Sequence, residues 1–184
     1  TGGLYREFGP DRVLDTPLSE AGFMGAAVGA AAVGMRPIVE TMACFTYVAM
    51  DQLISQAAKM RYMFGGQVQL PIVYRCLMYY GGNTAAHHSD RNYPIFMNIP
   101  GFKVVVPSSS NDAKGLLKTA VRENDPVMFF EDRNLLATKG PVSESEDFLI
   151  PFGVANILRE GNDVTIVGIG GSLRHAMSAA DELE

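Results

Sequence analysis

Residues 103–131 carry the sequence "KVVVPSSSNDAKGLLKTAVRENDPVMFFE", which reads as a strand, a helix and a second strand. The apolar run at 103–107 is typical of a buried strand, and the polar residues at 108–112 are types that cap a helix. A second apolar run at 126–131 predicts another strand. Strand, helix and strand in this order predict two parallel strands joined by a crossover helix. The helix has one apolar stripe, formed by Ala113, Leu116, Leu117, Ala120 and Val121.

The same alternation continues toward the N terminus. Ser19 can cap a helix that starts at Glu20, and Gly34 ends that helix. We therefore predict the α/β fold class, with a parallel sheet covered by helices on both faces. The additional predicted elements are a helix over 20–33, a strand over 36–41, a helix over 47–63 and a strand over 70–76.

The C-terminal part reads as the beginning of a second unit. Residues 135–148 are polar and contain Gly and Pro, as a linker does. Residues 163–171, "DVTIVGIGG", predict a strand and a glycine turn that open a helix. Because the turn lacks the complete G-x-G-x-x-G fingerprint of a phosphate loop, we interpret it as a packing turn.

Composition argues against several functional classes. The chain has 15 Lys and Arg against 20 Asp and Glu, and no basic cluster, which disfavours nucleic-acid binding. Its longest uncharged apolar run, residues 21–35, is short for a membrane span. Cys44 and Cys76 lie far apart and match no metal-site spacing. We therefore expect two free thiols in a reducing compartment.

Glu20 is the only ionisable residue between Asp15 and Arg36. A carboxylate in the first turn of a helix is favoured by the helix dipole, by ~0.3–1 kcal/mol. Alternatively, the glycines and alanines that follow it allow another chain to approach closely and exclude water. Such a partly desolvated carboxylate would suit a proton relay or a hydrogen bond to a ligand nitrogen. The residues by themselves leave both interpretations open.

The segment 77–101 lacks regular periodicity, and irregular connections of this length are usually functional. It contains His87 and His88, followed by Ser89 and Asp90. Adjacent histidines can bind a metal, but no third ligand stands at a known spacing, so a solvated loop is the simpler interpretation. Histidine is also the usual acid or base near neutral pH, which keeps a catalytic role open.

Several blocks of the sequence, in order and almost without gaps, resemble one enzyme family. Together they resemble the β subunit of the thiamine-diphosphate-dependent decarboxylating component of 2-oxo acid dehydrogenase complexes, a group that includes pyruvate, branched-chain 2-oxo acid and acetoin dehydrogenases. The blocks are "DRVLDTPLSEAGFMGAAVGAAAVGMRPIVE" (11–40), "DQLISQAAKMRYMFGG" (51–66), "LPIVYR" (70–75), "HHS" (87–89) and "IPGFKVVVPSSSNDAKGLLKTAVRENDPVMFFE" (99–131).

The resemblance implies three parts of the chain. Residues 1–138 would form a transketolase-like pyrimidine-binding domain without its N-terminal part. Residues 139–160 would be a linker, and 161–184 would begin a C-terminal transketolase-like domain.

The resemblance also implies two catalytic residues. Glu20 matches the glutamate that hydrogen-bonds the ring nitrogen of the aminopyrimidine of thiamine diphosphate. His88 matches the active-site histidine. The family usually continues with Ser-Gln after this histidine, whereas this chain has Ser89-Asp90. We therefore expect an extra negative charge near the substrate to alter substrate preference.

Further cofactor-binding residues follow from the same resemblance. Leu18 and Met42 match residues that line the pyrimidine pocket, together with Glu20. Phe45 matches the aromatic residue that packs on the pyrimidine ring. Tyr47 is the alternative, because this chain is one residue shorter than the family pattern between positions 40 and 51.

The resemblance implies partners and ions as well. The diphosphate and its Mg²⁺ would be bound mainly by an α subunit through a GDG-containing motif, which this sequence lacks. The implied assembly is an α2β2 heterotetramer that decarboxylates a 2-oxo acid and passes the acyl group to a lipoyl-bearing acyltransferase. It would work in the bacterial cytoplasm or the mitochondrial matrix, with no nucleic-acid or membrane partner. A structural potassium ion would be held by backbone oxygens of Ile72, Ala120, Val121, Glu123 and Asp125.

Two other functions stay open. A transketolase or deoxyxylulose-phosphate-synthase relative shares the pyrimidine-binding fold, but it carries the diphosphate domain on the same chain. A non-catalytic α/β binding module would keep the fold and not the chemistry. The presence of both Glu20 and His88 favours an enzyme.

Overall fold

The computed structural model describes residues 2–184, so that Thr1, the first residue of the predicted 1–138 domain, lies outside the described residues. The helices are α1 (Leu4–Phe8), α2 (Glu20–Ala32), α3 (Met60–Met63), α4 (Tyr93–Met97), α5 (Ser110–Arg122) and α6 (Ser172–Glu182). The strands are β1 (Ile38–Met42), β2 (Val73–Met78), β3 (Lys103–Val105) and β4 (Val127–Asp132).

The strand, helix and strand predicted for 103–131 form β3, α5 and β4, and the two strands pair in parallel. The start of α5 is capped as the sequence indicates: the Asp112 amide donates to Ser109 Oγ at 3.1 Å. All four strands are parallel, in the order β1-β2-β4-β3. Their carboxyl ends therefore meet at one edge of the sheet.

Both faces of the sheet are buried, because side chains of β2 and β4 alternate between two apolar clusters. One cluster joins these strands to α2 and the segment that follows β1, and it includes Tyr74, Cys76, Met128 and Phe130. The other packs under α5 and includes Val73, Val127 and Phe129, with Leu116, Leu117 and Val121 of the predicted helical stripe against them. The predicted α/β class with helices on both faces is confirmed.

Helix α2 carries the segment that contains Glu20. It begins at Glu20 as predicted, and Gly34 follows its end with a φ of 98°. The predicted side-chain cap is wrong: Ser19 occupies the cap position at φ −153° and ψ 80°, and its hydroxyl makes no capping hydrogen bond. Ser19 is exposed, so water can reach the first amides of the helix. Among residues 2–184, no helix combines the length and the apolar character needed to cross a bilayer.

The helix predicted over 47–63 is interrupted. Residues Ala43–Ala49 form 3-10 turns, Asp51–Ala57 form a π-helical segment, and only α3 is α-helical. The carbonyl of Ala43 accepts hydrogen bonds from the Thr46 hydroxyl at 2.7 Å and from the Asn92 side-chain amide at 2.8 Å. These side chains compete with the regular helical ladder where the chain leaves β1.

The C-terminal prediction is half right. Helix α6 forms, but 163–171 is not a strand, because no strand of residues 2–184 lies beside it to complete a hydrogen-bonded ladder. In the glycine turn before α6, the Gly171 amide donates a hydrogen bond to the buried carboxylate of Asp132 at 3.1 Å. This contact confirms a packing turn.

Two glycines with positive φ allow a matched test of how closely the backbone at Gly101 packs against that of Ala58. Gly101 and Gly34 have φ values of 106° and 98°. A Cβ atom at Gly101 would lie 1.9 Å from the Ala58 carbonyl oxygen, whereas at Gly34 it would meet no atom within 4 Å. Both Gly→Ala changes add backbone strain of about 1–2 kcal/mol, but only Gly101→Ala adds a clash with backbone. In urea unfolding of the full-length protein, we expect Gly101→Ala to lose about 2 kcal/mol more stability than Gly34→Ala. Equal losses of stability in the two variants would contradict close packing of Gly101 against the Ala58 backbone.

Candidate functional site

The predicted catalytic and cofactor-binding residues lie toward the edge of the sheet where β1 and β2 end. These strands are parallel neighbours, with Met42, the last residue of β1, paired with Leu77 of β2. The chain continues from β1 into the 43–49 turns, which carry Phe45, and from β2 into the irregular segment, which carries His88. The topology therefore places both segments at one edge of the sheet, the usual position for a ligand site in parallel α/β folds.

Phe45 and His88 are in direct contact. Their ring centroids lie 5.3 Å apart in an edge-to-face arrangement, at an interplanar angle of 80°. The His87 ring lies 4.1 Å from that of His88. The Nδ1 atom of His88 is buried and has no hydrogen-bond partner among residues 2–184. An unpartnered buried nitrogen is uncommon and suits a group that meets a ligand.

Asn92 fastens the irregular segment to the turns after β1. Its side chain is 4% exposed, and its amide nitrogen donates to the Ala43 carbonyl at 2.8 Å and to the Thr46 hydroxyl at 2.9 Å. Thr46 itself is completely buried. These bonds fix the separation between the two segments that carry Phe45 and His88.

Glu20 lies toward the same cluster, at the start of helix α2. Helix α2, which starts with Glu20, packs against the 43–49 turns, and the Cys44 thiol is buried there. Burial is the main cause that raises the pKa of Cys44, and the carboxylates of Asp90 and Glu20 raise it further. Because α2 ends just before β1 begins and packs against that strand, its first residue, Glu20, lies toward the carboxyl end of the strand.

One side of the cluster is open. Leu18, two residues before α2, has a side chain 97% exposed, which is unusual for a large apolar residue. Tyr47 is also exposed; its pKa is raised by burial of part of the phenol and by the neighbouring Asp90 carboxylate. An apolar side chain beside a carboxylate, uncovered by residues 2–184, suits a surface that a ligand or another chain completes.

The predicted potassium ligands lie at the opposite edge of the sheet from these residues, around the end of α5 and the starts of β2 and β4. One nitrogen of Arg36, Nη1, donates to the Val121 carbonyl at 3.0 Å and to the Glu123 carbonyl at 2.8 Å. The Ile72 carbonyl accepts from the Val127 amide at 2.8 Å, and the Ala120 carbonyl accepts from the Glu123 amide at 3.2 Å. Among residues 2–184, no cluster of three or more His, Cys, Asp or Glu side chains could hold a metal ion.

A cleft of about 690 Å³ lies away from the Phe45–His88 pair, where β3 begins. Arg61 and Lys103 line it and form ion pairs with Asp125, and Lys103 also pairs with Glu123. Within residues 2–184, the ionised side chains that line this cleft are therefore all paired with an opposite charge. We therefore place the candidate site at the open surface that contains Glu20 and His88.

Sequence reasoning missed three residues that organise these regions. Neither Asn92 nor Cys44 belongs to a sequence motif. Asn92 matters because its side chain bonds to residues 46 or more positions away, and Cys44 matters because its thiol is buried. Arg36 reaches carbonyls 85 and 87 residues away. The only available signal was the position of Arg36 just after a helix-ending glycine, which does not indicate its partner.

Comparison with known proteins connects this geometry to a family. The sequence matches the family described as "Transketolase, pyrimidine binding domain" over residues 1–139. The β subunit of acetoin:2,6-dichlorophenolindophenol oxidoreductase from Bacillus subtilis is 52% identical over 184 residues, covering 100% of this chain and 54% of the relative. The 2-oxoisovalerate dehydrogenase β subunit of the same organism is 46% identical over 186 residues, covering 100% and 57%.

Another relative and a solved structure agree. The β subunit of the pyruvate dehydrogenase E1 component from Rhizobium meliloti is 47% identical over 185 residues, covering 100% of this chain and 40% of the relative. A structure described as "Split gene transketolase, inactive beta4 tetramer" matches with a TM-score of 0.80 and 25% identity, covering 100% of this chain and 56% of that one. The chain spans about half the length of its relatives.

The Asn92 contacts predict a measurable effect on stability. Asn92→Ala removes both side-chain hydrogen bonds and leaves the buried Thr46 hydroxyl without its donor, so we expect a loss of about 2 kcal/mol in the free energy of unfolding. Asn98→Ala is the control, because Asn98 is exposed and its side chain makes no hydrogen bond within residues 2–184. Urea titration of the full-length variants measures the difference. Similar stabilities would show that Asn92 does not fasten the two segments.

Proposed function

Because the chain belongs to the transketolase pyrimidine-binding domain family, we propose that it forms the pyrimidine side of a thiamine-diphosphate site in the β subunit of a 2-oxo acid or acetoin dehydrogenase. The observation that carries this proposal is the placement of Glu20 at the start of α2, toward the carboxyl edge of the sheet, in a region that also holds the Phe45–His88 pair. Glu20 forms no ion pair within residues 2–184, so its carboxylate is available to a ligand.

Each predicted cofactor-binding residue has a role in this proposal. Leu18 and Met42 provide apolar walls from the loop before α2 and from the end of β1. Phe45 packs on the aminopyrimidine, and its ring is already held by its edge-to-face contact with His88. The exposed Leu18 and the half-buried Glu20 fit a ring that approaches from the open side.

Bound thiamine diphosphate supplies a carbon nucleophile and a ring that holds the electron pair left by bond cleavage. Glu20 accepts or shares a proton at the pyrimidine ring nitrogen, and exclusion of water by the cofactor and the partner strengthens that hydrogen bond. His88, which packs against the Phe45 ring beside the proposed cofactor position, hydrogen-bonds the substrate and acts as a general acid or base.

The open surface supports a shared site. The relatives are named as β subunits, and the sequence lacks a GDG motif for binding the diphosphate and Mg²⁺. We assign that function to an α subunit that covers Leu18 and Glu20 in an α2β2 heterotetramer. A lipoyl-bearing acyltransferase would then receive the acyl group. The same proposal includes the predicted domain boundaries: a pyrimidine-binding domain over residues 1–138, a linker over 139–160 and the start of a C-terminal domain over 161–184.

A potassium ion at the end of α5 remains part of the proposal. The carbonyl oxygens of Val121 and Glu123 converge, since both accept a hydrogen bond from Nη1 of Arg36. A carbonyl oxygen has two lone pairs, so each oxygen can accept a hydrogen bond and contact an ion. The backbone oxygens of Ile72, Ala120 and Asp125 would complete the ligand set.

Replacement of Glu20 tests the proposed function. In a complex reconstituted with the α subunit, we expect Glu20→Gln to lower kcat by about 10²-fold or more, because the amide cannot take the proton. Glu7→Gln is a matched control, since Glu7 is also a first-turn helical acid and is exposed. Steady-state turnover of pyruvate, branched-chain 2-oxo acids and acetoin measures the effect. Wild-type rates for Glu20→Gln on every active substrate would refute the assigned role.

Thallium(I) provides a local test of the potassium prediction, because it replaces potassium and scatters anomalously. In crystals of the α–β complex grown with thallium nitrate, we expect an anomalous peak beside the carbonyls of Ile72, Val121 and Glu123. Crystals grown in sodium nitrate provide the control. Thallium-grown crystals in which those carbonyls contact only Arg36 and backbone amides would contradict the prediction.

A further inference from the structure

Asp90 adds a second carboxylate to the half-site that contains Glu20. Both side chains are half-buried, and both raise the pKa of the Cys44 thiol after the larger effect of burial. Neither carboxylate has an ion-pair partner within 4 Å among residues 2–184. This chain therefore contributes two negative charges to the site.

The fold fixes the position of Asp90 on both sides. Two residues before it, His88 is held against the Phe45 ring at a centroid distance of 5.3 Å. Two residues after it, the Asn92 side chain bonds to the Ala43 carbonyl and the Thr46 hydroxyl at 2.8 and 2.9 Å. Asp90 is thus confined to the rim of the site between two anchored residues.

The adjacent cation does not neutralise Asp90. The guanidinium carbon of Arg91 lies 3.6 Å from the centroid of the Tyr80 ring. Its Nη2 atom lies 3.5 Å from Asp132 Oδ2, and the Asp132 side chain is 1% exposed. The charge of Arg91 is therefore directed to a buried carboxylate at the end of β4.

We propose that Asp90 determines substrate specificity by selecting uncharged α-hydroxyketones, such as acetoin, over 2-oxo acid anions. The inference rests on the proposed function, because it requires that a substrate be held at His88. A 2-oxo acid brings its own carboxylate into a partly desolvated site, where repulsion by Asp90 opposes binding. An uncharged hydroxyketone meets no such repulsion. Asp90 acts as a specificity residue and takes no part in bond cleavage.

The test compares pyruvate with acetoin in the reconstituted α–β complex, with 2,6-dichlorophenolindophenol as electron acceptor. We expect the wild-type complex to prefer acetoin. Asp90→Asn should raise kcat/KM for pyruvate about tenfold and leave that for acetoin within about twofold. Asp90→Glu retains the charge and should retain the preference. Asp163→Asn removes an equal charge from an exposed position and should leave the ratio unchanged.

Ionic strength separates an electrostatic effect from a structural one. Added salt should reduce the ratio of kcat/KM for acetoin to that for pyruvate in the wild-type complex, but not in Asp90→Asn. Only the wild-type complex has a carboxylate at this position that repels the pyruvate anion, and salt screens that repulsion. The inference is overturned if Asp90→Asn changes both substrates equally, or if the wild-type complex prefers pyruvate. Failure of the proposed function is distinguishable, since the wild-type complex would then convert neither substrate with thiamine diphosphate.

Discussion

The side-chain amide of Asn92 makes the contact on which the site depends. It bonds to the Ala43 carbonyl and the Thr46 hydroxyl, and so joins the two irregular segments that leave adjacent strands. The edge-to-face packing of Phe45 on His88 also joins these segments, but an aromatic pair contributes only about 0.5–1.5 kcal/mol. The same bonds occupy the Ala43 carbonyl and favour tight 3-10 turns over a regular helix. Local irregularity and site geometry therefore have one physical cause.

The arrangement divides into a rigid part and an open part. The sheet, with large apolar side chains on both faces, fixes where β1 and β2 end. Beyond that edge, Leu18 is exposed and Glu20 has no ion-pair partner within residues 2–184. A folded domain with an exposed apolar side chain and an unpaired carboxylate at one edge is the form expected when a cofactor lies between chains. The proposed α subunit would provide the missing surface and the groups for the diphosphate.

Patterns of near neighbours made most of the fold predictable. The strand, helix and strand at 103–131, and the helix that starts at Glu20, follow from periodicity and from residues that begin or end helices. Long-range partners were not predictable in this way. The 3-10 turns over 43–49 include a carbonyl that bonds to a side chain 49 residues away, and 163–171 lacks a neighbouring strand within residues 2–184. The residues at the site were selected by resemblance, and the roles of Glu20 and His88 remain proposals.

We propose that Glu20 serves a cofactor whose other end is held by another chain. A crystal structure of the full-length β subunit with its α subunit and thiamine diphosphate tests this role. We expect a carboxylate oxygen of Glu20 to lie about 2.7–2.9 Å from the pyrimidine ring nitrogen, with the diphosphate on the α subunit. A pyrimidine ring bound away from Glu20, or a diphosphate held by this chain, would contradict it.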